Sequence, residues 1–315
     1  NAWGLSHGPT TPWWVSDNGS GRTTLYTGAG ARAPAGSPLV VTIPPPHGST
    51  AGTTAAPTGN IFNGSNGFVV TDAVTGTSGP ALFLFATENG TISGWSPTVN
   101  SHQAILAVDH SAGSAGAVYK GLALGSVGSS TYMYVANFRA GTVDIFDARF
   151  APAHLAGAFT DPHSIAGFAP YNIANIGGQL YVAYAKQNAA KHDDVAGSGN
   201  GFVDVYSTSG QLIRRLVSGG PLNSPWGLVL APEGFGQFSG DLLVGNFGDG
   251  RINAFDPHTG AFLGALQRAK GEAVVIPGLW GLAFGNGSAA GPTTTLFFAA
   301  GIDHEAHGLF GSLTP

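Results

Sequence analysis

The tripeptide Trp-Gly-Leu occurs three times in this chain, at residues 3–5, 226–228 and 280–282. The three copies use half of the six tryptophans in a sequence of 315 residues. A short signature that recurs along a chain indicates an internal repeat, and a repeat constrains the fold more strongly than composition does. The chain is therefore expected to fold as a series of similar units, each with a residue equivalent to the repeated tryptophan.

Alignment on the position before Gly-Leu gives six units of about 50 residues, a length typical of propeller repeats. After this position each unit has a short apolar run, a turn rich in Gly, Asn or Asp, and a further strand-like run. Units 1, 2, 4 and 5 add a fourth run, such as AILAVD at residues 104–109. The aligned positions are Trp3, Thr58, Lys120, Tyr171, Trp226 and Trp280.

Four short strands per unit, joined by tight turns, are typical of a β-propeller blade. The 50 glycines, 20 prolines and 9% charged residues also favour strands and turns over helices. We therefore predict an all-β, six-bladed propeller that forms one domain over residues 1–315. The predicted blades are residues 1–45, 56–109, 118–160, 169–218, 224–268 and 278–315.

Two irregularities refine this prediction. Residues 67–72, GFVVTD, are an insertion in the second unit and predict an extra hairpin. The last unit ends at GLFGSLTP after its third run, and the sequence starts directly on a first strand. We expect either that residues upstream of Asn1 complete the last blade in the natural protein or that this blade has three strands.

Composition removes several function classes. The formal charge of −5 and the absence of a basic block argue against nucleic acid as a partner. No apolar run approaches the roughly 18 residues of a membrane span. The chain has no cysteine, which excludes disulfides and thiolate metal sites. A monomer that binds a small molecule or a peptide or polymer is expected.

The stretch PWGLVLAP, followed by GDLLVGNFGDGRINAFDPHTGAFLGAL, resembles the NHL-type propeller repeat. Nearly the whole chain also resembles a bacterial exported propeller family of unassigned activity. This resemblance implies a secreted, periplasmic or cell-surface location. It implies no catalytic residues, because the family has none established.

In a propeller the first strand of each blade lines the central channel. The six aligned residues should therefore form a ring at one channel mouth, which we call the top face. The aromatic residues of the ring can serve as core packing between the blades or present ring faces to a ligand. Lys120 and Arg139, both on this face, are candidates for binding an anionic group.

Ten histidines stand beside only 12 lysines and arginines. The blade register places six of them on the top face: His47, His110, His163, His192, His304 and His307. The segments KHDD and DHEAH add Asp193, Asp194 and Glu305. Imidazole and carboxylate ligands together suit Zn, Cu, Ni or non-haem Fe. We predict a transition-metal site, Zn or Cu, and solvated loop tips are the alternative.

Calcium is a separate candidate, since oxygen donors recur at the turns. These donors are Asp17, Asn18, Glu88, Asn89, Asn137, Asn246 and Asp249, although Asn-Gly and Asp-Gly are also ordinary turn formers.

Two functional hypotheses follow from these candidate sites. One is a metal-dependent enzyme acting on a small molecule or peptide end, and the other is a non-catalytic binding propeller with an aromatic-lined mouth.

Overall fold

Short apolar runs bounded by turn residues form 24 β-strands in the computed structural model, which describes residues 1–113 and 116–315. Within those residues the helical segments are two three-residue 3-10 turns, Asn18–Ser20 and Gly236–Phe238. No helix in the described part of the chain is long and apolar enough to cross a membrane. The predicted all-β class is confirmed.

The first three blades hold eleven strands, and a separate hairpin is inserted in blade 2. Blade 1 consists of β1 (Ala2–Ser6), β2 (Trp13–Asp17), β3 (Arg22–Tyr26) and β4 (Val40–Thr42). Blade 2 and its hairpin are β5 (Pro57–Phe62), the hairpin strands β6 (Val69–Thr71) and β7 (Ser78–Pro80), β8 (Phe83–Thr87), β9 (Thr91–Trp95) and β10 (Ile105–Asp109). Blade 3 consists of β11 (Tyr119–Val127), β12 (Ser130–Asn137) and β13 (Thr142–Asp147). The hairpin confirms the insertion predicted at residues 67–72.

The last three blades hold eleven strands as well. Blade 4 consists of β14 (Phe168–Ile176), β15 (Gln179–Lys186), β16 (Gly201–Ser207) and β17 (Leu212–Ser218). Blade 5 consists of β18 (Pro225–Leu230), β19 (Leu242–Asn246), β20 (Ile252–Phe255) and β21 (Phe262–Ala265). Blade 6 consists of β22 (Leu279–Phe284), β23 (Leu296–Ile302) and β24 (His307–Leu313).

Each blade is an antiparallel sheet whose strands follow one another from the axis to the rim. Neighbouring first strands contact one another around the axis, and β22 contacts β1 to close the ring. The described residues give blade 6 three strands, in agreement with the sequence. Blade 3 also has three, and the segment after β13 covers its outer edge through a bond from the Ala153 N–H to the Ile145 carbonyl oxygen. The six-bladed propeller is therefore confirmed.

The repeated position before Gly-Leu is a β-bulge in every blade. In blade 1 the pairs Ala2↔Asp17 and Leu5↔Val15 leave two residues of β1 opposite one residue of β2. The first strands of the other five blades carry the same extra residue. A bulge takes one residue out of the ladder and redirects its side chain. The bulges thus turn the six aligned side chains towards the axis.

Glycine follows the bulge because adjacent first strands approach closely there. A Cβ on Gly4 would lie 2.5 Å from the Thr58 carbonyl oxygen and 2.9 Å from the Gly59 Cα. Blade 4 has Asn172 in place of this glycine, and its amide donates to the Trp226 carbonyl oxygen at 2.7 Å. The side chain of Asn172 occupies the space over Gly121 in blade 3.

Six apolar clusters fill the spaces between neighbouring blades. Each cluster draws its buried residues from two adjacent blades. The junction between blades 6 and 1 contains Trp13, whose indole N–H donates to the Ala290 carbonyl oxygen at 2.7 Å. Trp13 also packs on Phe297 with ring centroids 4.9 Å apart. Ring closure is therefore stabilised by side-chain packing as well as by the first strands.

Gly4→Ala should lower the free energy of unfolding by about 1–3 kcal/mol, because the added methyl would meet backbone atoms that cannot rotate away. Urea unfolding followed by circular dichroism measures this change. Gly19→Ala is the matched control, since its Cβ would meet nothing closer than the Asn1 Oδ1 at 3.4 Å. Equal stability of the two variants would contradict the close approach of the first strands.

Candidate functional site

The bulged aromatic residues form a buried plug at the top face. Trp3 is 3% exposed and Trp280 is 1% exposed. Their rings stack with centroids 3.7 Å apart, and Phe247 stacks on Trp280 at 4.0 Å. Trp226 meets Trp280 edge-on at 5.9 Å, and Tyr171 is also buried. A ligand could stack on these rings only after they moved apart.

A second ring of six residues completes this cluster. In each blade, the position just before the bulge pairs with a residue on the neighbouring strand. The next residue along the chain after this partner is the member of the second ring. The members are Asn18, Glu88, Phe138, Ala185, Phe247 and Gly301. This ring was not predicted from the sequence, although the segments DNG, TENG, NFRAG and NFGDG mark the ring position in four of the six units.

Lys120 is the bulged residue of blade 3, and its ammonium group lies in the middle of the plug. The residue is 1% exposed, and its Nζ is 2.5 Å from Oε1 of Glu88. The same Nζ lies 5.0 Å from the ring centroid of Trp3 and 5.9 Å from that of Tyr171. A buried ammonium requires such a partner, and the ring faces add cation–π attraction.

Glu88 connects this buried pair to the surface. Its side chain is 12% exposed, and Oε2 accepts a hydrogen bond from the Asn18 side-chain amide at 3.0 Å. A carboxylate has about four lone-pair positions, so Glu88 retains acceptor capacity after these two contacts. From the sequence, Glu88 was predicted only as a calcium ligand, because nothing local in the sequence indicates the partner Lys120.

Glu305 holds the other side of the plug. Its Oε1 accepts hydrogen bonds from the indole N–H groups of Trp3 at 3.0 Å and Trp280 at 2.9 Å. Residues 303, 304 and 305 all have left-handed backbone conformations, with φ of 53°, 54° and 64°. Such conformations are unfavourable for side chains other than glycine and persist where the surroundings hold them. The turn directs the Glu305 carboxylate inwards.

The loop between β15 and β16 reaches the axis from blade 4. Asp194 accepts a hydrogen bond from the Tyr171 hydroxyl at 2.9 Å. Burial, with the neighbouring Asp194 as the next cause, raises the pKa of Tyr171 well above its ordinary value. His192 Nδ1 is 2.8 Å from Asp193 Oδ1, which lies 3.8 Å from Lys120 Nζ. The hydrogen bond from His192, followed by the charge of Lys120, lowers the pKa of Asp193.

Three potential metal ligands meet beside the Lys120 ammonium group. Glu88, His192 and Asp193 each offer a ligand atom, and these atoms lie within 4.8 Å of one another. Two of the three were predicted from the KHDD segment. In the described residues no other group of three histidines or carboxylates meets this distance limit.

An open cavity of about 430 Å³ adjoins the group on the top face. Loops of blades 1 to 4 contribute its walls. The lining includes Glu88 and His192 together with His47, Arg139, Asn89, Ser49 and Ser111. A larger cavity of about 550 Å³ lies between blades 5 and 6, and Arg268 is its one ionisable lining residue. The smaller cavity therefore has the more ionisable lining of the two.

The DHEAH segment does not meet the KHDD loop. His304 is exposed in the turn between β23 and β24, and His307 is exposed at the start of β24. Neither joins the group at His192, and Glu305 is bonded to the two indoles instead. The left-handed turn accounts for this arrangement, because it turns the carboxylate inwards and leaves both imidazoles in solvent.

The remaining predicted histidines lie apart from the axis. His110 Nδ1 is 2.8 Å from the Tyr119 hydroxyl oxygen. His163 is exposed near the rim, where its carbonyl oxygen accepts a bond from Arg215. His47 lines the cavity without joining the three-residue group.

Most of the calcium candidates already accept hydrogen bonds within the protein. Asn89 Oδ1 accepts the Ala56 N–H at 2.7 Å, and Asn137 Oδ1 accepts the Ala140 N–H at 3.2 Å. Asp249 Oδ1 accepts the Asn246 amide at 3.1 Å. The Asn137 and Asp249 contacts are those expected of turn-forming residues.

The fold and the site together define a six-bladed β-propeller with an ionic cluster over a plugged axis. No family model matches the chain. The chain is 34% identical over 266 residues to uncharacterized protein R648 of Acanthamoeba polyphaga mimivirus, which covers 82% of this chain and 62% of the relative. It is 33% identical over 267 residues to uncharacterized protein L690 of the same virus, which covers 82% of this chain and 67% of the relative.

The chain therefore belongs to the family of uncharacterised proteins that includes L690. It spans about two thirds of the length of these two relatives. They come from a giant virus, whereas the resemblance noted in the sequence pointed to a bacterial exported family. A crystal structure of a glucose dehydrogenase superposes with a TM-score of 0.58 at 12% identity, covering 100% of this chain and 96% of that chain. This likeness shows the propeller fold alone.

Glu305→Ala should lower the free energy of unfolding by about 2–4 kcal/mol, because two buried indole N–H groups lose their acceptor. Glu305→Gln should recover most of this stability, since its amide oxygen can still accept. His304→Ala is the matched control, because His304 is exposed and has the same left-handed backbone. Thermal unfolding of the three variants measures the effect. Equal stability of Glu305→Ala and His304→Ala would contradict the assigned role.

The buried carboxyl group of Asp17, beside Asn18, should make the free energy of unfolding depend on pH. Burial raises its pKa to about 6, and the Thr24 hydrogen bond opposes this shift only in part. The unfolded chain has a pKa of about 3.9 for aspartate, so protonation favours the folded state and the free energy of unfolding falls as pH rises from about 4 to 6. Asp17→Asn should therefore be more stable than the parent at pH 7.5 and equally stable near pH 4.

Asp256→Asn is the control of opposite sign. Backbone hydrogen bonds from Thr259 and His258 lower the pKa of Asp256, so its ionised form favours the folded state. The substitution should reduce stability at pH 7.5, and the difference should shrink as pH falls below about 4. Urea unfolding at the two pH values tests both variants. A loss of stability in Asp17→Asn at pH 7.5 would contradict the buried carboxyl.

Proposed function

We propose that this chain is a metal-binding propeller that holds a transition-metal ion at the top face through Glu88, His192 and Asp193. The observation that carries the proposal is that their ligand atoms lie within 4.8 Å of one another, and that two of the three residues, Glu88 and His192, line an open cavity. The six-bladed fold and the ion pair between Lys120 and Glu88 do not depend on a bound metal.

The contacts of His192 suit metal binding. Its Nδ1 lies 2.8 Å from Asp193 Oδ1, so the two atoms are close enough to bind the same metal ion once the proton between them is lost. One imidazole nitrogen with carboxylate oxygens suits Zn and other divalent transition metals.

The charges around the site weaken its affinity for a metal ion. Glu88 and Asp193 contribute two negative charges, and Lys120 Nζ lies 2.5 Å and 3.8 Å from their oxygens. The net charge of −1 attracts a cation, but the nearby ammonium repels it. We therefore expect weaker zinc binding than at a structural site with four protein ligands.

The number of protein ligands also determines whether a metal ion here could take part in catalysis. Three protein ligands leave coordination positions for water or a ligand, as in catalytic rather than structural zinc sites. A metal-dependent reaction on a small molecule is thus compatible with the proposal. The alternative of capture on an aromatic-lined mouth has weaker support, because the rings of Trp3, Trp226 and Trp280 are buried. An exported location stays a prediction from the resemblance.

The test is metal content and affinity in protein purified without a histidine tag. After chelator treatment and zinc loading, the protein should retain about one zinc per chain through gel filtration. Cobalt in place of zinc should give visible absorption from a protein site. His192→Ala should raise the dissociation constant for zinc at least about tenfold.

The matched control is the double variant His304→Ala/His307→Ala, which removes two imidazoles from the same face without touching the group. It should bind zinc as the parent does. Absence of zinc from the parent, or loss of zinc from the double variant alone, would overturn the proposal. Circular dichroism of each variant checks that the fold is kept.

A further inference from the structure

We propose that the top-face cavity binds a small polar carboxylate, whose carboxylate group pairs with Arg139. This inference rests on the proposed function, since the metal group forms part of the same cavity wall. It adds the chemical class of the ligand and the residue that selects it.

The size and lining of the cavity suit a small polar molecule. Its volume is about 430 Å³, within the range of about 300–1,000 Å³ that small-molecule sites occupy. Polar side chains line most of it, from the loops of four different blades. Such a lining favours a ligand with hydroxyl or carboxylate groups over an apolar one.

Arg139 supplies the charge that selects an anion. Its Nη1 donates to the Gly116 carbonyl oxygen at 2.8 Å, which orients the guanidinium group at the cavity wall. Within residues 1–113 and 116–315 Arg139 forms no ion pair. A guanidinium has five N–H donors in a fork that matches a carboxylate, so donors remain for a ligand.

The other ionisable groups near the cavity already have partners. Glu88 pairs with Lys120, and His192 pairs with Asp193. Before a metal binds, the positive charge of Arg139 therefore balances the net −1 of the metal group. A divalent ion would leave the wall with a net charge of +2, which an anionic ligand would reduce. Metal binding and anion binding should accordingly reinforce one another.

The experiment measures binding of three probes to zinc-loaded and to chelator-treated protein by isothermal titration calorimetry. The probes are glucuronate, malonate and neutral glucose. We expect glucuronate or malonate to bind the zinc-loaded protein, and glucose to bind at least about tenfold more weakly, because it lacks the charged hydrogen-bond partner. Zinc should strengthen binding of the anions.

Arg139→Gln should weaken anion binding at least about tenfold, which is the effect of losing charge-assisted hydrogen bonds. Arg139→Lys should lie between this variant and the parent, since it keeps the charge without the fork. Arg149→Gln is the matched control, because Arg149 is exposed in the turn after β13 and lies outside this cavity. It should bind as the parent does.

Zinc content is measured in the same samples, so the two proposals can fail separately. If zinc binds but neither anion does, if glucose binds as well as the anions, or if Arg139→Gln binds like the parent, the carboxylate site is overturned and the metal site stands. If zinc does not bind but the anions still bind in an Arg139-dependent way, the metal site is overturned and the carboxylate site is supported.

Discussion

Each blade has one extra residue in its first strand, and this bulge determines how the axis of the propeller is filled. The bulge takes a side chain out of each ladder and directs it to the axis. Glycine or Asn172 then allows neighbouring strands to meet. Because three of the redirected residues are tryptophans, the axis is closed by stacked rings. A plugged axis leaves the loops above it to carry any chemistry.

The plug in turn explains the charges around it. Lys120 takes a position that tryptophan occupies in three other blades, so its ammonium group is buried among rings and needs a carboxylate. Glu88 provides this carboxylate from blade 2, and Asp193 lies nearby on a loop from blade 4. The second carboxylate and His192 exceed what Lys120 requires. This excess is the physical basis for proposing a cation beside them.

Much of the fold could be predicted from the sequence, because a repeated position has the same environment in every unit. The six blades, the inserted hairpin and the axial ring all followed from that regularity. The site was harder to predict, because its contacts join different blades. Nothing near Glu88 indicates Lys120, which is 32 residues away in the chain. Nothing in DHEAH indicates that three left-handed residues turn Glu305 towards Trp3 and leave His304 in solvent.

An anomalous difference map from zinc-soaked crystals, collected at the zinc absorption edge, would show directly whether a metal ion binds at the top face. We expect one peak bounded by Glu88, His192 and Asp193, with nitrogen and oxygen ligands at about 2.0–2.2 Å. A peak at His304 and His307, or no peak on the top face at zinc concentrations that saturate the protein in solution, would contradict it.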